Sequence, residues 1–370
     1  MITLPERLVV GYCNWAQADA AVLQAVRRGV NVLMWFAVDL GTDARTGEAA
    51  VQDSPGPDML AVASLMQQMS AEGLPCTHLI SIGGWNAPHP VTAHNAHQTF
   101  DAFHRWNVGL PFGGFAGFDW DIEGHDDPAS PTSTLSPHAL RLMGEVSQLA
   151  KTAGYVVAMA PAQSYMDPSS SGFSLSLSLD SPHREGFPYA GRNCYAALLA
   201  GWGTAPAPSG SSGGSSRTVP TFDFVTVQLY EGFSRAMWAV RSRQSPPPDA
   251  PAAYLASLVA ALSHPDGWLV DFSAEPALQL QSQRVHVPLP RLVLGLANAW
   301  AGGEEGEEKG KFLLLYPDEL QAAAAALRRA GLRVRGYAFW NIKDEGQDQA
   351  AQRPGERVWL ASALREIQAE

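Results

Sequence analysis

Eight short apolar segments, each separated from the next by helical patterns, constrain the fold of this 370-residue chain most strongly. The segments cover residues 8–13, 30–38, 77–83, 114–121, 155–161, 222–229, 292–297 and 334–340. Continuous apolar runs of this length are typical of strands that are buried on both faces, as in a parallel sheet. The alternation predicts an α/β fold, and the count of eight favours a single (β/α)8 TIM barrel over a doubly wound open sheet.

Helical patterns cover residues 18–28, 59–72, 97–107, 137–153, 254–262 and 318–330. The fourth of these has Ser136 as a candidate N-cap and Gly154 just beyond its end. Three segments interrupt the alternation: a low-complexity loop at 204–217, a Pro-rich turn at 244–251 and an acidic loop at 302–311. Because the strand pattern resumes after each, we expect one catalytic domain over residues 1–370.

Charge and cysteine content exclude several classes of protein. The chain has 25 Lys and Arg against 36 Asp and Glu, a net charge of -11, and no basic cluster longer than a pair. This pattern is unlike that of proteins that bind nucleic acids or anionic membranes, and we expect a monomer. Three cysteines cannot all pair, which fits a reducing compartment. No signal-peptide or membrane-spanning pattern is present, so we expect a cytoplasmic chain as written, or a secreted one from which a leader was removed.

The fourth strand carries the chemistry, in the run Gly-Phe-Asp-Trp-Asp-Ile-Glu at 117–123. Side chains alternate along a strand, so Asp119, Asp121 and Glu123 share one face and climb toward the rim where barrel active sites lie. Carboxylates spaced about 6.5 Å apart repel one another, so at least one should have a raised pKa. A general acid near neutral pH requires this. A metal cluster or a solvated strand end is the alternative, and the position at the rim favours catalysis.

This run resembles the signature D-G-x-D-x-D-x-E of glycoside hydrolase family 18, the chitinase family. Further motifs follow in the family's order: S-I-G-G at 81–84 is similar to S-x-G-G, M-A-P at 159–161 is similar to the family's M-A-P, and Gln228-Leu229-Tyr230 is similar to Q-x-Y. Trp340 ends the eighth strand, where the family has the tryptophan under the bound sugar.

The resemblance implies an endo-acting glycosidase that hydrolyses β-1,4-linked N-acetylglucosamine polymers, chitin and chito-oligosaccharides, by a retaining, substrate-assisted mechanism. Glu123 would be the acid, Asp121 would orient the substrate's acetamido group, Asp119 would tune Asp121, and the Tyr230 hydroxyl would hold the acetamido oxygen. The residues expected to bind substrate are Tyr12, Phe36, Gly84, Trp85, Met159, Gln228 and Trp340. No metal or cofactor is implied, and the partner is a polysaccharide or oligosaccharide that contains N-acetylglucosamine.

Two departures from the family pattern leave alternatives open. Ala116 replaces the first acid of the signature, and Glu231 follows Tyr230 where Asn or Asp is usual. The alternatives are an endo-β-N-acetylglucosaminidase acting on N-glycans or peptidoglycan, and a non-catalytic chitinase-like lectin. Lectin members usually lose the terminal acid or its Asp neighbour, and this chain keeps both.

The connection between the last two strands is too short for the α+β insertion of some family members, so the chain most resembles the short members without it. We expect an open groove, with the loop 204–217 as partial cover.

Overall fold

A computed structural model describes residues 3–53, 57–177, 191–208, 217–242, 246–302, 311–347 and 355–370. In chain order its strands are β1 (Leu8–Asn14), β2 (Val32–Thr42), β3 (Ala49–Asp53), β4 (Thr77–Gly84), β5 (Gly117–Ile122), β6 (Val156–Met159), β7 (Thr204–Pro206), β8 (Thr218–Pro220), β9 (Phe224–Gln228), β10 (Trp268–Val270), β11 (Gln283–Val285), β12 (Leu292–Ala297) and β13 (Gly336–Trp340). Eight of them, β1, β2, β4, β5, β6, β9, β12 and β13, pair in parallel, and β13 pairs back to β1. The TIM barrel predicted from the sequence is confirmed.

The helices are α1 (Ala20–Arg28), α2 (Met59–Ala71), α3 (Ala96–Val108), α4 (Pro137–Thr152), α5 (Ala196–Trp202), α6 (Arg235–Met237), α7 (Ala250–Ser263), α8 (Pro317–Arg329) and α9 (Leu360–Ala369). Each of the six helical patterns corresponds to one of them. Ser136 caps α4, since its hydroxyl accepts from the Ala139 N–H at 3.0 Å, as predicted. No helix in the described ranges is long and apolar enough to cross a membrane.

Two apolar layers result from the alternation of side chains along the barrel strands. The outer layer fills the space between strands and helices. The inner layer fills the barrel itself and consists of Leu8, Val10, Tyr12, Val32, Met34, Leu79, Val156, Ala158, Ala160, Phe224, Val293 and Ala338. Ala116 packs against this inner layer, where the family has its deepest acid. The lower barrel is therefore apolar, and the functional polar groups lie above it, at the carboxyl ends of the strands.

Strand β5 is held closely by its neighbours. A Cβ on Gly117 would lie 1.8 Å from the Val156 carbonyl oxygen, so only glycine allows β5 to approach β6 this closely. Phe118, Trp120 and Ile122 point into the outer layer, and the Trp120 indole N–H donates to the Ser147 hydroxyl on α4 at 2.8 Å. This packing fixes the opposite face of β5, which carries the acids.

The low-complexity segment is only partly a loop. Its first residues form β7, which pairs with β8 in an antiparallel hairpin, while 209–216 lie outside the described residues. Composition signals a loop but not the backbone pairing at its ends. Gln148 and Thr152, in the last turn of α4, donate to carbonyl oxygens of β7, which places the hairpin at the amino-terminal end of the barrel. The expectation that this segment covers the groove is therefore corrected for its described part. Of the acidic loop, 303–310 also lie outside the described residues.

Candidate active site

A cavity of about 590 Å³ opens at the carboxyl-terminal ends of the barrel strands. Its walls come from the segments that follow β4, β5, β6, β9, β12 and β13. Among the residues that line it are Trp85, Glu123, Tyr165, Tyr230, Trp300 and Trp340. Aromatic surface with a few carboxyl groups is typical of a site for a ligand with apolar faces and polar edges, such as a sugar.

The three acids of β5 lie on one face, as their spacing predicts. Asp119 is 1% exposed and Asp121 5% exposed, and Glu123 lies above them, partly exposed in the cavity. The Tyr12 hydroxyl donates to Asp119 Oδ2 at 2.6 Å from the barrel interior. The series therefore runs from a buried, hydrogen-bonded carboxyl at the bottom to an accessible one at the rim.

Gln228 bridges the carboxyl groups of Asp121 and Glu123 through hydrogen bonds. Its Nε2 lies 2.7 Å from Asp121 Oδ1, 2.8 Å from Glu123 Oε1 and 2.6 Å from the Ala160 carbonyl oxygen. One amide nitrogen with two hydrogens thus serves three acceptors, which fixes Gln228 and both carboxyl groups relative to each other. The sequence predicts Gln228 as a substrate contact. The structure places it in the cavity wall and also gives it a positioning role.

The proton affinities of the three β5 carboxyl groups follow from their burial and from the repulsion between their charges. Burial raises the pKa of Glu123 to about 7, and the charges of Glu231 and Asp119 act in the same direction, while hydrogen bonds from Gln228 and Asp121 oppose it. Burial raises the pKa of Asp119 to about 6. The pKa of Asp121 is raised well above its usual value by burial first, and then by the charges of Glu123 and Asp119. All three carboxyl groups therefore hold a proton more strongly than a free carboxyl group does, and Glu123, with a pKa of about 7, can deliver one near neutral pH.

Aromatic rings form the floor of the cavity. Trp340 stacks on Phe36 with ring centroids 4.2 Å apart and lies 5.5 Å from the Tyr12 ring. The Trp300 indole N–H donates to the Trp340 carbonyl oxygen at 2.6 Å, and Trp300 meets Tyr230 edge to face at 6.0 Å. The Trp340 ring is thus held from below and beside by other rings, and it forms part of the cavity wall.

Trp85 stands at the edge of the cavity and is 47% exposed. Its indole N–H donates to Asp126 Oδ1 at 2.9 Å, and the Asn86 amide donates to Asp126 Oδ2 at 2.6 Å. Both oxygens of Asp126 are occupied by these donors, and no group of three or more potential ligands in the described residues is arranged to hold a metal ion.

Three predicted substrate-binding residues do not line the cavity. Tyr12 and Phe36 lie one layer below it, against Asp119 and Trp340. Met159 is 0% exposed and packs in the outer layer, because alternation along β6 turns it toward the helices. The prediction that Met159 contacts the ligand is therefore corrected. Gly84, Trp85, Gln228 and Trp340 do line the cavity.

Several residues of the site have no signal in the sequence. The buried Tyr195 hydroxyl accepts from the Ile122 N–H at 2.7 Å and donates to the Ile122 carbonyl oxygen at 3.0 Å, directly below Glu123. His89 Nε2 lies 3.1 Å from the Glu123 carbonyl oxygen. Tyr165 lines the cavity and donates to the Leu177 carbonyl oxygen at 3.1 Å. All three side chains come from segments without strand periodicity or motif, so only the tertiary fold brings them here.

No protein-family model and no curated protein sequence matches this chain. Solved structures do resemble it. The C-terminal domain of ChiA from Legionella pneumophila has 15% identity and a TM-score of 0.59, with 98% of each chain covered. A fungal endo-β-N-acetylglucosaminidase from glycosyl hydrolase family 18 has 14% identity and a TM-score of 0.51, covering 99% of this chain and 98% of that one.

The catalytic domain of a family GH18 chitinase from the fern Peteris ryukyuensis has 12% identity and a TM-score of 0.53, covering 98% of this chain and all of that one. At these identities the likeness is one of fold. From end to end, the chain has the barrel architecture of these glycoside hydrolase structures.

Proposed function

We propose that this protein is a glycoside hydrolase that cleaves β-1,4-linked N-acetylglucosamine polymers, chitin and chito-oligosaccharides, by a retaining, substrate-assisted mechanism. The observation that carries the proposal is the carboxyl group of Glu123, which has a pKa of about 7 and is bridged to Asp121 by the Gln228 amide in an aromatic cavity. The similar solved structures, which include chitinases and an endo-β-N-acetylglucosaminidase, support it through their shared barrel.

In this mechanism Glu123 donates its proton to the glycosidic oxygen as the bond from that oxygen to the anomeric carbon breaks. The acetamido oxygen of the same sugar attacks the anomeric carbon from the other face, which forms a cyclic oxazolinium ion. In its carboxylate form, Asp121 would accept a hydrogen bond from the acetamido N–H and balance the positive charge. Glu123, now a carboxylate, then removes a proton from the water that opens the ring and retains the configuration.

The aromatic side chains orient the substrate for this step. Trp340 offers a flat face to the apolar face of the sugar, and Tyr230, on the cavity wall, would direct its hydroxyl to the acetamido oxygen. Burial, followed by the charges of Asp121, Glu123 and Asp119, raises the pKa of Tyr230 well above its usual value, so the phenol keeps its proton and can donate. Holding the nucleophile in line is worth orders of magnitude in rate.

An endo-β-N-acetylglucosaminidase acting on N-glycans or peptidoglycan is the second candidate, because the same acetamido chemistry serves it. The position of Glu231 supports this second candidate. It lines the cavity beside Tyr230 and accepts from the Ser164 N–H at 2.8 Å, so the cavity differs from the family pattern at this point. A lectin is disfavoured because both Asp121 and Glu123 are present.

Replacing Glu123 with Gln tests the role of the acid. The amide keeps the shape but has no acidic proton, so kcat on chito-oligosaccharides should fall by about 10²- to 10⁴-fold while sugar binding persists. Glu48→Gln, an exposed change on the β2–β3 turn, is the control and should leave kcat unaltered. Turnover by Glu123→Gln close to that of the parent would exclude Glu123 as the acid. Parallel assays on an N-glycopeptide decide between the two substrate classes.

Product stereochemistry tests the mechanism independently of the substrate. NMR of the first products should show the β-anomer, and a thiazoline analogue of the oxazolinium ion should inhibit competitively. Oligomers with glucosamine in place of N-acetylglucosamine at the cleaved position should resist hydrolysis, since the internal nucleophile is missing. Initial release of the α-anomer would rule out the retaining mechanism.

A further inference from the structure

Asp39 lies where β2 leaves the barrel and pairs with β3 in an antiparallel hairpin. Its neighbours on the strand, Val38 and Leu40, both pack in the outer layer between the barrel and the helices. Because side chains alternate along a strand, Asp39 projects from the opposite face, the one turned toward the mouth of the barrel. This carboxyl group is 9% exposed.

No described residue donates a hydrogen bond to the Asp39 carboxyl group or forms an ion pair with it. Burial alone raises its pKa to about 6, and no charged group contributes to the shift. At neutral pH the site is therefore a nearly buried carboxylate without a partner among the residues that the structure describes. Such groups are rare in folded proteins because burying an uncompensated charge is costly, and a ligand that brings its own donors removes the cost.

The barrel register places Asp39 level with the catalytic carboxyls. Val38 pairs with Ile82 on β4, so Asp39 lies beside Gly83, and Gly83 pairs with Asp121 on β5. The backbones of Asp39 and Asp121 are thus two strand spacings apart, roughly 10 Å. That separation is too long for the sugar held at Asp121 to reach Asp39, and it suits the next unit of the polymer.

Strand β4, which lies between Asp39 and Asp121, ends in two glycines. Gly83 and Gly84 have no side chains, and nothing lies within 4 Å of the position that a Cβ on Gly84 would take. Gly84 itself lines the cavity. The cavity therefore reaches the end of β4, the strand that lies between Asp39 and Asp121.

We propose that Asp39 forms a further binding subsite, where its carboxylate accepts hydrogen bonds from the hydroxyl groups of a sugar unit adjacent to the one on Trp340. The inference rests on the proposed function and adds a specificity residue to it. Two carboxylate oxygens match a pair of neighbouring sugar hydroxyls, and charge-assisted hydrogen bonds in a site shielded from water are stronger than neutral ones.

The test measures binding by calorimetry in the Glu123→Gln background, with fully acetylated chito-oligosaccharides of increasing length and with matched oligomers that carry glucosamine. The parent should gain affinity when the oligomer becomes long enough to reach Asp39. The additional change Asp39→Asn should remove about ten-fold or more of that gain and leave the affinity for the monosaccharide N-acetylglucosamine unchanged. Glu48→Gln on the same hairpin is the matched control. Asp39→Asn should fold, since it removes a buried unpaired charge, and thermal unfolding at pH 8 should show it at least as stable as the parent.

Equal affinities of the Asp39→Asn variant and the parent for every length would overturn the subsite while leaving the proposed function intact. A loss seen only with oligomers that carry glucosamine would overturn hydroxyl recognition, since it would mean that Asp39 binds an ammonium group. If the parent binds no chito-oligosaccharide of any length, the proposed function itself fails.

Discussion

Two neighbours of Glu123 act on its proton in opposite directions. Gln228 donates to Oε1 and lowers the pKa of Glu123 by stabilising the carboxylate, whereas the negative charge of Glu231 raises it. Both side chains line the same cavity. The working pH of the acid is therefore set by single residues, which can be changed one at a time.

The alkaline limb of kcat/KM should report the pKa of Glu123, because only the protonated form can act as the acid. Glu231→Gln removes a charge that raises this pKa, so the limb should move to lower pH. Gln228→Leu removes the donor that stabilises the carboxylate, so the limb should move to higher pH, with a lower kcat because Glu123 is no longer held. The measurement is a pH series of kcat/KM for the parent and both variants. If the alkaline limb moved in the same direction in both variants, its assignment to Glu123 would be contradicted.

At the scale of elements, the end of β5 is held by a side chain from outside the barrel. The hydroxyl of Tyr195, at the start of α5, occupies both the N–H and the carbonyl of Ile122, the last residue of the strand. Neighbouring strands provide most of the barrel's backbone partners, but this rim position relies on a buried phenol. The position of Glu123 therefore depends on α5 as well as on the sheet.

Tyr195→Phe should destabilise the fold by about 1–3 kcal/mol, because it leaves buried backbone groups of Ile122 without a partner. It should also lower kcat by about ten-fold, since small displacements of a catalytic group cost rate. Urea unfolding and steady-state kinetics measure the two effects. Tyr155→Phe, whose hydroxyl contacts His104 at the surface, is the control and should change stability by less than about 0.5 kcal/mol. Equal effects of the two substitutions would argue against a specific role for Tyr195.

At the scale of the whole molecule, the shape of the groove depends on the segments that flank the cavity on its two sides. Between β12 and β13, the described residues hold a short 3-10 turn and α8, without an α+β subdomain. On the other side, the segment after β6 closes against the segment after β5, where Leu135 and Leu177 each form a backbone hydrogen bond across the gap. The cavity is therefore walled on one side, and the described residues between β12 and β13 form no subdomain wall on the other.

A groove that is open on one side can bind the middle of a polymer and release it after each cleavage. We therefore expect endo cleavage with low processivity. The viscosity of a soluble chitin derivative should fall early, before much reducing sugar accumulates. The two quantities can be followed in one time course, with an exo-acting chitinase as reference. Disaccharide release from the first minutes at nearly constant viscosity would indicate a closed, exo-acting site instead.

The amino-acid sequence by itself determines the barrel and the acid face. Eight apolar runs predict eight buried strands, and the two-residue period of β5 directs Asp119, Asp121 and Glu123 to one side, because both properties are local to a strand. Trp340 is likewise placed by its position at a strand end.

Contacts between strands depend on barrel closure and register, which no local pattern specifies. Closure sets Gln228 of β9 against Asp121 of β5 and brings Tyr195 under the end of β5. Register likewise sets Asp39 level with Asp121 across a strand of glycines. These contacts join residues tens to more than a hundred positions apart, so only the tertiary structure decides them.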